Sequence, residues 1–179
     1  MKNINNYITE KLHIHKDMDE RAYNYFPMTK EELKDILKKR IKEDKNADLN
    51  DIDVSKITDM PWLFYGLDPH NIKIDEWDVS NVENMQSMFY GCRNFNSDLS
   101  HWDVFNVENM ENMFVYCKNF NSDLSHWDVS NVENMYCMFY KCTNFNSDLN
   151  KWDVSNVEDM SHIFFSCDSL INKPSWYKE

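Results

Sequence analysis

The stretch NFNSDLSHWDV occupies residues 94–104 and returns, letter for letter, at 119–129. Aligning on its tryptophan gives a period of 25, with Trp77, Trp102, Trp127 and Trp152 in one column. Met85, Met110, Met135 and Met160 keep the same step, as do Phe89, Phe114, Phe139 and Phe164. A unit this short cannot enclose a core of its own, so it must bury its apolar face against its neighbours. The register also runs backwards: IDVSKITDM at 52–60 aligns with WDVSNVENM at 77–85. Five units result, the first degenerate and the last cut short.

Two periodicities alternate within a unit. Leu99, Trp102 and Val104 follow the L-x-x-L-x-L spacing of a short repeat strand. Val82, Met85, Met88, Phe89 and Cys92 then fall at helical spacing. Ser80 with Glu83, Ser130 with Glu133 and Ser155 with Glu158 stand in the S-x-x-E relation of a capping box, which predicts a helix start at each. Only two glycines are present, so Asn94, Asn96 and Asp98 must turn the chain back. The expected fold class is an α/β repeat of about five units, each a short strand, a short helix and an Asn-rich return.

The motif WDVSNVxxMxxMFxxCxxFNxDLSxWDVSNV resembles the BspA-like leucine-rich repeat, common in bacterial surface proteins and lipoproteins and also found in phage genomes. The resemblance covers roughly residues 50–170. It implies a right-handed leucine-rich-repeat solenoid that binds proteins or ligands, and no catalytic activity.

Three regions are expected. Residues 1–49 form an N-terminal helical cap, 50–170 the repeats, and 171–179 a closing tail with Pro174 and Trp176. Ile4, Tyr7, Ile8 and Leu12 suggest a first helix. Thr29 and Glu32 form a capping box ahead of Leu33, Ile36, Leu37 and Ile41, which predicts an amphipathic helix over 30–44. Its mixed Lys/Glu outer face argues for a cap over the open end rather than a helix lying on a membrane.

Charge narrows the partners. The net charge is −12. Residues 1–50 hold 11 Lys/Arg against 10 Asp/Glu, and the rest hold 8 against 21. The acidity therefore belongs to the repeats, which disfavours direct nucleic-acid binding and favours a protein partner with a basic surface. No segment has the run of about 18 apolar residues of a membrane span, and the start lacks the apolar region of a secretory signal, so a cytoplasmic location is expected. No phosphate loop, nucleophile elbow or zinc-helix motif occurs, and neither enzyme activity nor a cofactor is expected. The leading expectation is a protein-binding module. The alternatives are a phage- or mobile-element-encoded inhibitor of a host nucleic-acid-handling protein, acting by acidic mimicry, and a bacterial surface adhesin fragment.

Candidate contact residues follow from strand alternation. With Trp102 and Val104 inward, His101 and Asp103 point outward, and His126 and Asp128 follow about 4.8 Å away on the next unit. The flanking units offer Glu76 and Asp78, and Lys151 and Asp153. The face reads either as solvated polar surface or, at His101, Asp103, His126 and Asp128, as a divalent-metal site. Phe105 replaces the serine found at positions 55, 80, 130 and 155, and is either an interface anchor or a local repacking. Cys92, Cys117, Cys142 and Cys167, 25 apart, suit a buried thiol ladder in a reducing compartment, structural like the Trp column. Cys137, off that column, is expected as a partly exposed thiol.

Overall fold

The computed structural model describes residues 23–178. The helix suggested by Ile4, Tyr7, Ile8 and Leu12 lies outside the described residues. One helix is present among them, α1 at Lys30–Glu43. Thr29 caps it by accepting the Glu32 N–H at 3.2 Å, and Glu32 reaches back to the Met28 N–H at 2.7 Å. Leu33, Leu37 and Ile41 are buried, and Arg40 ties the helix to Asp51 at 3.1 Å. No helix among the described residues is long and apolar enough to cross a membrane.

The repeats stack as rungs, one above the next. Isolated parallel bridges join Asp59 to Asn84, Asn84 to Asn109, Asn109 to Asn134, and Asn134 to Asp159, a step of one repeat each time. No longer strand forms among the described residues, and no repeat contains a helix. The expected α/β right-handed leucine-rich-repeat solenoid is therefore corrected: its strand and its helix are both absent, and only the N-terminal helix matches that description.

Backbone geometry explains the missing helices. An α-helix needs φ near −63° at every residue. Trp62, Ser87, Asn112, Cys137 and His162 instead have φ between 54° and 59°. Four residues later Gly66, Gly91, Tyr116, Lys141 and Ser166 are again positive. These two left-handed positions per rung send alternate N–H groups out of the rung. Met85, Ser87, Phe89 and Gly91 donate to the carbonyls of Asn109, Glu111, Met113 and Val115 at 2.8–3.0 Å. Between them the Met88 and Tyr90 N–H groups close four-residue turns onto the Met85 and Ser87 carbonyls at 3.1 Å, and the Gln86 N–H goes to the Asn84 side chain at 2.9 Å. The S-x-x-E pairs do not cap. The Glu83 N–H goes to the Thr58 carbonyl of the rung below, and the Ser80 hydroxyl goes to Asp78. Nor is Leu99–Val104 a strand, because the Trp102 N–H turns back onto the Leu99 carbonyl.

Side chains lock the stack. Phe64, Phe89, Phe114, Phe139 and Phe164 lie in one column with ring centroids 4.8–5.8 Å apart. Phe95, Phe120 and Phe145 form a second column, in contact with the first inside each rung at 4.1–4.2 Å. Such pairs add about 0.5–1.5 kcal/mol each beyond area burial. Every indole N–H of the Trp column reaches a carbonyl one rung below, Trp77 to Leu49, Trp102 to Ile74, Trp127 to Leu99 and Trp152 to Leu124, at 2.8–3.0 Å. Trp176 continues the column on Trp152 at 6.4 Å.

Candidate functional site

Three outward surfaces run along the stack. The first carries the charged residues that alternate with the Trp and Val columns. Glu76, His101, His126 and Lys151 are exposed, as are Asp103, Asp128 and Asp153, while Asp78 is half-buried. Each aspartate accepts the backbone N–H two residues on: Ser80, Phe105, Ser130 and Ser155 at 3.0–3.2 Å. The Ser80 and Ser130 hydroxyls donate to the same oxygens at 2.6 and 2.7 Å. These carboxylates are engaged in local turns. The Ser155 hydroxyl and N–H hold Asp153 below the usual carboxylate range.

His101, His126 and Lys151 act on a different set of carboxylates. Asp98, Asp123 and Asp148 accept the N–H groups of Ser100, Ser125 and Asn150 at 2.9–3.0 Å. Those bonds chiefly hold the three aspartates below the usual range, and His101, His126 and Lys151 add to the effect. Among the described residues no three His, Cys, Asp or Glu side chains are grouped to hold a metal ion. His101, Asp103, His126 and Asp128 are not gathered into one site.

Phe105 is 47 % exposed. Its N–H still bonds Asp103, and its carbonyl accepts Asn131 Nδ2 at 2.8 Å, so the aromatic replaces serine without disturbing the rung contact. Cys92, Cys117, Cys142 and Cys167 are buried, free and column-aligned, each thiol donating to a phenylalanine carbonyl one rung below at 2.9–3.5 Å. Burial pushes Cys92 and Cys167 up to about 12 and the two between them well above the ordinary thiol value. The expectation of a partly exposed Cys137 is corrected. It is only 7 % exposed, tucked beside Tyr136 where the two help line a groove, and burial raises its pKa.

The second surface is a trough of about 630 Å³. Glu83, Glu108, Glu133 and Glu158 rise along it beside the bridging column of Asp59, Asn84, Asn109, Asn134 and Asp159. All four glutamates are exposed, and their carboxylates accept no hydrogen bond among the described residues. Like charges about 5 Å apart repel by about 0.8 kcal/mol in water and about 3 at an effective dielectric of 20. Sequence reasoning read Glu83, Glu133 and Glu158 as helix caps, did not single out Glu108, and so missed the trough.

The third surface was missed entirely. Trp62, Tyr65, Tyr90, Tyr116, Tyr140 and Phe165 form a continuous stripe of ring contacts 5.0–6.1 Å apart. Around its upper half Tyr136, Cys137 and His162 help line a groove of about 450 Å³. The Lys141 ammonium lies 5.3 Å from the ring centroids of both Tyr116 and Tyr140. The signal was the aromatic directly after the core phenylalanine in LFY, MFY and IFF. Under a helical period its opposite exposure is invisible. Trough and stripe adjoin, because the Asn134 side chain accepts the Tyr136 N–H at 2.9 Å.

No curated protein and no solved structure matches the chain. One family does, over residues 31–127 and again over 105–177, with the overlap falling inside the repeats. That is agreement at the level of the repeat unit, the level at which the BspA-like resemblance stands. The chain belongs to the family described as Mycoplasma protein of unknown function, DUF285.

Proposed function

We propose that the chain is a non-enzymatic recognition module whose acidic trough binds the basic surface of a protein partner. The observation that carries this reading is the glutamate column of the trough. Glu83, Glu108, Glu133 and Glu158 line the trough with four exposed carboxylates, one per rung, that make no ion pair among the described residues. A cationic partner removes their mutual repulsion, which makes the trough a stronger contact than the Asp78, Asp103, Asp128 and Asp153 column. Those aspartates already spend an oxygen on their own turns.

The test compares partners captured from a cell lysate on the immobilised native chain, on Glu108→Lys/Glu133→Lys and on Asp103→Lys/Asp128→Lys, eluted with rising salt. The expected result is salt-labile capture of basic proteins that the glutamate variant loses and the aspartate variant largely keeps. Capture that is indifferent to salt and to both variants would sink the reading.

A further inference from the structure

We propose that the aromatic stripe is a groove for lysine and arginine side chains of an extended basic polypeptide, whose remaining charge is held by the neighbouring trough. This rests on the reading of a basic partner above and gives that partner a second, chemically distinct contact. Tyr65, Tyr136 and Phe165 are 54, 36 and 49 % exposed, and Trp62 is 41 % exposed, although the rungs beneath them are fully packed. A continuous run of rings, exposed at both ends and half-buried at Tyr90, Tyr116 and Tyr140, marks an interaction surface, since soluble chains seldom leave such apolar area uncovered.

The occupant is indicated by what already sits there. Lys141 places its ammonium within cation–π range of two rings of the stripe at once. The faces of Tyr116 and Tyr140 are thereby shown to accept a cation in this setting. Carboxylates stand close by: Asp159 and Glu111 both act on Tyr136, whose phenol is raised first by its hydrogen bond with Cys137 and further by those two charges. Aromatic faces with anions at their edge favour a cationic side chain over an anionic or neutral ligand. A neutral oligosaccharide would use the rings and have no use for the carboxylates.

The test uses isothermal titration of the full chain with decalysine and deca-arginine peptides, with a Gly-Ser decapeptide and a linear glucan hexamer alongside. Tyr65→Ser/Tyr136→Ser/Phe165→Ser removes three of the four exposed rings, with near-ultraviolet circular dichroism reporting that the core is intact. Lys141→Asn vacates the Tyr116 and Tyr140 faces with a residue that tolerates left-handed backbone. Lys42→Gln on α1 makes the same charge change away from the stripe. Expected are binding of the basic peptides only, a loss of tenfold or more in the ring variant, and a several-fold gain in Lys141→Asn absent from Lys42→Gln. A gain cannot come from misfolding, so it stands even if the ring variant unfolds. Basic-peptide binding abolished by Glu108→Gln/Glu133→Gln but indifferent to the ring variant and Lys141→Asn would overturn the stripe and leave the basic-partner reading standing. Binding of neither basic peptide overturns both. Binding of the glucan, lost with the rings, overturns the proposal in favour of a saccharide.

Discussion

Ser87 carries two costs at one position. Its φ of 54° is left-handed, and its fully buried hydroxyl has no partner among the described residues. A left-handed non-glycine residue costs about 1–2 kcal/mol. A buried, unmade hydroxyl bond costs about 1–3. Glycine removes both at a chain-entropy cost of about 0.5–1 kcal/mol. Ser87→Gly is therefore expected to raise stability by at least about 1 kcal/mol, read as a higher urea midpoint with an unchanged slope. Gly91 is the converse case. At φ 75° a Cβ would meet nothing within 4 Å, so Gly91→Ala isolates the backbone term and should cost about 1 kcal/mol. A lower midpoint for Ser87→Gly would show that the left-handed column is held in place by the serine itself. The column is hard to read from sequence because Trp, Ser, Asn, Cys and His fill it, and only stacking on the next rung selects its conformation.

At the scale of the rung, the recurrent device is an aspartate or asparagine accepting the N–H two residues later. The letters that make it also spell a helix cap, and local sequence does not decide between them. What decides is where the Glu83 N–H goes, and it goes to a different rung. Inward and outward alternation around each Trp was legible because it depends only on which residues tolerate water. The strand and helix were not, since both were inferred from spacing within one unit while the bonds run between units. The device has a pH signature. Asp98, Asp123, Asp148, Asp153 and Asp159 have pKa values lowered by these bonds, so their contribution is present above the ordinary value of 3.8 and is lost as pH falls through the lowered folded values. The buried thiols are shifted up, so their contribution is present below the ordinary value of 9.0 and fades as pH rises toward about 12. Thermal melts should show a plateau between about pH 5 and 8 that falls on both sides. Asp98→Asn/Asp123→Asn keeps a side-chain acceptor and should flatten the acid limb. An acid limb as steep as the native one in that variant would place the sensitivity elsewhere.

Across the whole molecule the inter-rung bonds of the turn region point one way. In rung after rung N–H groups face the C-terminal end and carbonyls face back, as in Met135, Cys137, Phe139 and Lys141 donating to Asp159, Ser161, Ile163 and Phe165 at 2.8–3.0 Å. At the N-terminal end Leu33, Leu37 and Ile41 of α1 join the core, and the helix itself was legible from its capping box and apolar stripe. The far end differs. Met160, His162, Phe164 and Ser166 are the next alternate donors, and their N–H groups find no acceptor among the described residues. Val154, Val157 and Met160 are half-exposed there, where Val129, Val132 and Met135 one rung below are buried. Stability is thus expected to be graded along the stack, because a terminal rung has one neighbour instead of two. Native-state hydrogen exchange should find the amides of Met160, His162, Phe164 and Ser166 exchanging on the order of 100-fold faster than those of Met135, Cys137, Phe139 and Lys141, a difference of about 2.7 kcal/mol in opening free energy. Equal protection of the two sets would mean that the stack opens as a single cooperative unit, with the ring columns and not the one-way ladder setting its stability.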